Sequence, residues 1–287
     1  MSARKARAHK ANAGSAGRTE FTLRLVSALV MAAGATLLTL AGPWPFALLV
    51  AAVAVVLCWE WDSIVRPGSP RLPLAAHMAT ALGAALLTAA GQVAAALALL
   101  AAGAVTLWVL ASTGGHRMWS AAGVLYFGLP VVALVALRDS ATLPVMAILF
   151  LFAVVWTADT AAYFTGKAIG GPKLAPAISP GKTWSGFFGG LLVPACVGFI
   201  FGRAMGGTSP AVLGIVAGAL AMISQAGDLV ESYVKRRFHQ KDASHLIPGH
   251  GGFLDRVDGL MFAAVAAWLI GLLRDPASPA QGLLIWP

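Results

Sequence analysis

The sequence predicts an all-α integral membrane protein of about nine transmembrane helices with a cytoplasm-facing polar site. Of 287 residues, 59% are hydrophobic and 11% charged, against roughly 25% charged in an ordinary soluble domain. Apolar windows close to the ~20 residues needed to cross a bilayer recur along nearly the whole chain. The basic residues, once the windows are placed, fall almost entirely on one side. No stretch is long enough for a separate soluble domain. The formal net charge of +9 does not argue for a nucleic-acid partner, because in a membrane chain the placement of cations matters more than their sum. Cys58 and Cys196 each lie in an apolar run, which suggests neither a disulfide framework nor a cysteine metal site.

The chain opens with a basic tail, residues 1–20, rich in Ala, Gly and Lys/Arg. It has little to bury, so disorder near anionic headgroups is expected. The first apolar segment, 22–41, follows that tail as a signal peptide would. It is long, lacks a clear small-residue cleavage site and is followed by more spans, so it reads as a retained helix. Further spans are expected at 43–59, 74–91, 92–111, 119–137, 142–164, 185–205, 209–230 and 258–273. Residues 21–155 form an N-terminal set of membrane helices, and 156–287 a C-terminal catalytic region. Gly186 with Gly190, Gly198 with Gly202 and Gly214 with Gly218 suit close helix approach in segments seven and eight, by packing within one chain more than by dimerisation.

Nine spans put the termini on opposite sides. With the N-terminus cytoplasmic, 17 of the 20 Lys and Arg residues lie on the cytoplasmic side and only Arg138, Arg203 and Arg274 on the other. That is the asymmetry expected when positive loops stay inside. The expected location is a bacterial cytoplasmic membrane, with the C-terminus outside.

Charge then concentrates at one place. Asp228, Glu231, Lys235, Arg236, Arg237, Lys241, Asp242, Asp255, Arg256 and Asp258 occupy about a tenth of the chain. Acids beside a membrane span are costly unless paired or bound to a cation, so such a cluster reads as functional. A solvated loop explains the basic run Lys235 to Arg237 but not acids at helix ends. Asp228, Glu231, Ser232 and Lys235 share one helical face. Asp255 and Asp258, three apart, project to one side and suit a shared Mg²⁺, a hard cation that takes one or two carboxylates and leaves room for substrate phosphates. The pair reads equally well as helix N-terminal acids with an ion pair to Arg256. The turn PGHGG, with Gly251 and Gly252, offers the backbone freedom that suits phosphate at a helix start. His239, His245 and His250 have no cysteine beside them and no zinc-ligand spacing. A surface role is expected for the first two and a site role for His250.

A second polar island runs from Trp156 to Gly190. Asp159 inside an apolar segment calls for a function or a buried partner. The stretch PAISPGKT resembles a P-loop only briefly, since Pro176 stands where glycine is needed. Ser179, Lys182 and Thr183 still suit phosphate contact.

The run SYVKRRFHQKDASHLIPGHGGFLDRVD, through Ser232, Lys235, Arg236, Lys241, Ser244, His250, Gly251, Gly252, Asp255, Arg256 and Asp258, closely resembles the signature of the phosphatidate cytidylyltransferase (CDP-diacylglycerol synthase) family. Asp159 with Tyr163, SPGKT and SQAGDLVES are similar to the family's upstream elements. One position departs, because Ser185 follows KTW where the family's pattern leads one to expect an acid. The resemblance implies transfer of CMP from CTP to phosphatidic acid, with Asp228, Asp255 and Asp258 as metal-binding acids. It also implies Mg²⁺, a monovalent cation such as K⁺ as a further option, and a homodimer in the bilayer. Lys235, Arg236, Lys241, His250 and Arg256 are then the catalytic candidates, and Ser179, Lys182, Thr183, Ser232, Gly251 and Gly252 the substrate-binding ones. A CTP-dependent polyprenol or phytol kinase carries similar motifs but would release CDP. The D-G-x-x-A-R arrangement of CDP-alcohol phosphotransferases is absent. A transporter stays open through Asp159, although the charges gather at cytoplasmic helix ends and no inverted, interrupted repeat is visible.

Overall fold

The computed structural model describes residues 26–68, 71–111, 116–244, 246 and 251–287. The basic tail and His245, Pro248 and His250 lie outside the described residues. In chain order the elements are helices α1 (Val26–Ala41), α2 (Pro43–Val65), α3 (Arg71–Ala89), α4 (Val93–Leu110), α5 (Arg117–Arg138) and α6 (Pro144–Ile169). A two-stranded antiparallel hairpin follows, β1 (Lys173–Ala175) and β2 (Ser179–Thr183), and then helices α7 (Trp184–Met205), α8 (Pro210–Arg237), α9 (Leu254–Arg274) and α10 (Pro279–Leu284). Helices α2 to α9 are long and apolar enough to cross a membrane, and α1 is a shorter apolar helix.

Each of the nine expected apolar segments coincides with one of α1 to α9. The helices outrun the hydrophobic windows at the charged end. Helix α2 continues to Val65, α8 to Arg237, and α9 begins at Leu254. Hydropathy marks where lipid ends, whereas a helix continues as long as its backbone bonds and side-chain pairs allow. The hairpin and α10 were not anticipated. The expected division between residues 155 and 156 falls inside the continuous helix α6.

Lipid tails are as apolar as leucine, so helix association in a bilayer depends on close packing of small residues rather than on hiding large ones. The bundle follows this logic. Its interior holds many alanines, such as Ala54, Ala84, Ala85, Ala133, Ala217 and Ala221, while Leu29, Val30, Val105, Leu192, Ile200, Ile215 and Leu273 point outward. Helix α7 shows it most sharply: its buried residues are Gly186, Gly190, Pro194, Gly198 and Gly202, a single stripe at four-residue spacing. A methyl group on Gly186 would lie 2.9 Å from the Ala162 carbonyl oxygen of α6, and one on Gly198 would lie 2.4 Å from Ala217 Cβ of α8. The expected glycine stripes therefore serve packing within the chain.

At the end of the bundle away from the charged cluster, α10 folds under the helices. Ala280, Leu283 and Leu284 are buried there, and Arg274 Nη1 donates to the Ile285 carbonyl at 2.8 Å while its guanidinium stacks on Trp286.

Candidate functional site

The site is built where α8 and α9 cross. A methyl group on Gly227 of α8 would lie 2.9 Å from the Asp258 carbonyl oxygen and 2.8 Å from the Phe262 ring, and one on Gly259 of α9 would lie 2.4 Å from Ser224 Oγ. Only glycine at both positions lets the two backbones approach this closely. The residues beside them in sequence are Asp228 and Asp258, so the crossing that needs glycine also brings the acids together.

The carboxyl oxygens of Asp228, Glu231 and Asp258 lie within 4.8 Å of one another. Glu231 is 2% exposed; its Oε2 accepts from Lys235 Nζ at 2.8 Å, while Oε1 is buried with no hydrogen-bond partner among the described residues. The hydroxyls of Tyr126 and Ser224 are buried and unpartnered in the same way, and Tyr126 is within electrostatic reach of all three acids. Asp228 is bound by Lys182 Nζ at 2.5 Å and accepts weakly from Ser232 Oγ at 3.4 Å. Asp258 accepts the amide of Gly259 at 2.8 Å. Three carboxylates at this spacing, one with an orphaned buried oxygen, form an oxygen donor set that fits a hard divalent cation.

Asp255, grouped with Asp228 and Asp258 in the sequence reading, is placed differently. Its Oδ1 pairs with Lys235, and its Oδ2 accepts the amides of Gly252 at 2.9 Å and Ala243 at 3.3 Å. It closes the loop onto α9, and Glu231 stands with Asp228 and Asp258 instead. The signal for Glu231 was its position on the helical face of Asp228 and Lys235. Lys235 bridges the two groups, with its ammonium held between Glu231 and Asp255.

The hairpin positions Lys182. Lys173 pairs with Thr183 and Ala175 with Ser179, and Arg236 Nε of α8 donates to the Ile178 carbonyl at 3.4 Å. Thr183 is buried and caps α7, accepting the Gly186 amide at 3.1 Å, so its hydroxyl is occupied by the helix start. Ser185, at the position where an acid was expected, donates to the Gly170 carbonyl at 2.5 Å and lies 3.0 Å from the Thr183 hydroxyl. Asp159 on α6 is exposed and within electrostatic reach of Asp228, Asp258, Lys182 and Arg256. Arg256 is exposed on the first turn of α9, and Lys241 is exposed on the loop. Gly251 takes φ 82°, a left-handed conformation that favours glycine. A cavity of about 490 Å³ lined by Arg66, Trp119, Arg237 and Phe238 opens on the opposite face of α8, since nine residues separate Arg237 from Asp228.

Glu60 of α2 was missed. It is 0% exposed, and its oxygens accept Ser244 Oγ at 2.5 Å, the Phe253 amide at 2.8 Å and the Leu254 amide at 2.6 Å. A buried carboxylate costs several kcal/mol unless compensated, and hydrogen bonds to a charged group return about 1.5–3 kcal/mol each. The available signal was an acid at the charged end of an apolar span, the same criterion that singled out Asp159.

Residues 22–273 match the profile of the cytidylyltransferase family. The chain is 48% identical over 168 residues to the phosphatidate cytidylyltransferase of Brucella suis biovar 1, covering 57% of this chain and 61% of that one. It is 46% identical over 121 residues to the phosphatidate cytidylyltransferase of Haemophilus influenzae, covering 40% and 42%. The protein of that name from Staphylococcus epidermidis is 47% identical over 116 residues, covering 40% and 45%. The similarity thus spans at most about three fifths of the length of these relatives.

Proposed function

The chain belongs to the cytidylyltransferase family, and from that premise we propose that it transfers CMP from CTP to phosphatidic acid, forming CDP-diacylglycerol and pyrophosphate. The observation that carries the reading is the gathering of Asp228, Glu231 and Asp258 within 4.8 Å beside Lys182 and Lys235. Acids for a divalent cation stand next to cations for phosphate, which is what joining two polyanions requires. The names of the relatives over their matched stretch support the same substrate pair.

The second pKa of phosphatidic acid, by analogy with phosphorylated side chains, is about 6, so its phosphate needs no general base at neutral pH. One of its oxygens attacks the α-phosphorus of CTP, a P–O bond forms, and the bond from that phosphorus to the bridging oxygen of pyrophosphate breaks. The protein's work is alignment and charge neutralisation. Asp228, Glu231 and Asp258 would hold Mg²⁺, which when bound withdraws charge from phosphate oxygens. Lys182, carried over α8 by the hairpin, and Arg256 at the start of α9 supply fixed positive charge. Lys235 is held between Glu231 and Asp255 and orients both. Lys241, exposed on the loop, would meet the nucleotide's outer phosphates. Ser179, Ser232 and Gly251 complete the proposed substrate surface, with His250 assigned there on sequence grounds alone; Gly252, expected there too, is buried with its amide held by Asp255. The distribution of 17 of the 20 basic residues supports placing this end of the bundle in the cytoplasm, where CTP is found. A homodimer and a monovalent cation belong to the reading through the family resemblance.

Purified protein supplied with CTP, Mg²⁺ and phosphatidic acid should release pyrophosphate and CDP-diacylglycerol in equal amounts. Asp258→Ala should abolish both while remaining monodisperse in detergent. Release of CDP, or full activity in that variant, would overturn the proposal.

A further inference from the structure

We propose that Glu60 is a positioning residue for the reaction: reaching from α2, it caps α9 and fastens Ser244 to that cap, setting Asp255 and Asp258 against α8. For its activity readout the inference rests on the cytidylyltransferase reading; its structural readout is independent of it.

Helix α9 has no cap of its own. Its N-cap residue is Phe253, whose side chain makes no capping bond, yet the first amides of a helix need acceptors. Two carboxylates from different helices serve the amides at this start and just before it. Asp255 takes the Gly252 amide, and Glu60 takes the next two, of Phe253 and Leu254. Asp255 also holds the Ala243 amide, and Glu60 the Ser244 hydroxyl. The two sides of the loop are therefore fastened to the same pair of acids. Gly252 is threaded through the gap between them. A methyl group there would lie 2.8 Å from Glu60 Oε1 and 2.8 Å from Ala243 Cβ.

The anchor itself is rigid. The next residue on α2, Trp61, donates from Nε1 to the Trp119 carbonyl at 3.1 Å and stacks on Tyr126 at 5.3 Å between ring centroids. Tyr126 in turn meets Phe262 of α9 edge-on. Helix α2 thus meets α9 at its first amides through Glu60, and two turns further on the aromatic series links the two by way of Tyr126 of α5. A carboxylate satisfied merely by whatever lay nearby would not be expected to take consecutive first amides of the helix that bears Asp255 and Asp258. Negative charge at that position is favoured by the helix dipole.

The test uses the full chain in detergent micelles, comparing native protein with Glu60→Gln, Glu60→Asp and Ser244→Ala. Glutamine keeps the size but turns an NH₂ group toward an amide donor; aspartate keeps the charge but is one methylene short. Hydrogen exchange of the 251–256 segment should accelerate at least tenfold in Glu60→Gln while α3 and α4 exchange as in the native protein. Turnover with CTP and phosphatidic acid should fall at least tenfold, with KM for phosphatidic acid changed less than twofold and partial recovery in Glu60→Asp. Ser244→Ala, which removes one donor and leaves the helix cap, should show a smaller acceleration and decides the matter if Glu60→Gln does not fold. Native exchange at 251–256, or exchange raised uniformly through the bundle, overturns the proposal. Should the native protein make no CDP-diacylglycerol, the function reading fails while the exchange comparison still decides Glu60.

Discussion

Lys235 lies between two carboxylates whose jobs differ. Glu231 has an oxygen with no protein partner among the described residues, close to Asp228 and Asp258. Both oxygens of Asp255 are engaged, by Lys235 and by two loop amides. This predicts a separation by Mg²⁺ titration. Glu231→Gln should raise the Mg²⁺ concentration for half-maximal activity on the order of tenfold or more, as loss of one ligand weakens a hard-cation site. Asp255→Asn should lower turnover with a smaller change in that concentration, because it loosens the loop. Equal shifts in both variants would restore Asp255 to the metal group. The same scale explains Ser185: its hydroxyl ties the Gly170 carbonyl to the start of α7, a local structural task that needs no charge.

Two glycines beside the acids govern the α8 and α9 crossing, and the element scale is where they can be tested. At Gly227 an alanine methyl would press on the backbone of Asp258, so Gly227→Ala must separate the helices and should cost at least tenfold in activity. Forcing volume into a packed interface typically costs about 1–3 kcal/mol. Gly218 on the same helix is the control. A methyl group there finds its nearest neighbour at 3.5 Å, and alanine is favoured over glycine in a helix by about 1 kcal/mol. Gly218→Ala should leave activity unchanged and hold or raise the thermal midpoint. Loss of activity in both variants would show that helix flexibility, rather than the crossing distance, governs the site.

Across the whole molecule, one end of the bundle carries the acids, the hairpin and the closed loop, and the other carries Arg138, Arg274 and α10. The proposed orientation puts the first end in the cytoplasm, on the side that holds most of the basic residues. In a Cys196→Ser background, with Cys58 buried, Lys241→Cys should react with a membrane-impermeant thiol reagent only in inside-out vesicles. Ala277→Cys, at an exposed position in the segment joining α9 to α10, should react only in right-side-out ones. The reverse pattern would invert the orientation and separate the site from cytoplasmic CTP.

The positions and order of the apolar helices were legible in the sequence because lipid imposes one requirement, an apolar run of fixed length, that α2 to α9 each meet by themselves. The neighbourhood of the site was legible for a related reason: acids near a bilayer are costly, so Asp228, Asp255 and Asp258 announce themselves wherever they stand. Which oxygens meet was not legible. Asp255 and Glu231 are each one helical step from the other acids in their own helices, and only the crossing at Gly227 and Gly259 decides that Glu231 joins the group while Asp255 turns to the loop. Glu60 lies even further from view, since its partners are almost two hundred residues away and no local pattern marks them. A segment's own chemistry determined that it spans the membrane and carries charge; the contacts between segments, which depend on helix approach, determined what that charge does.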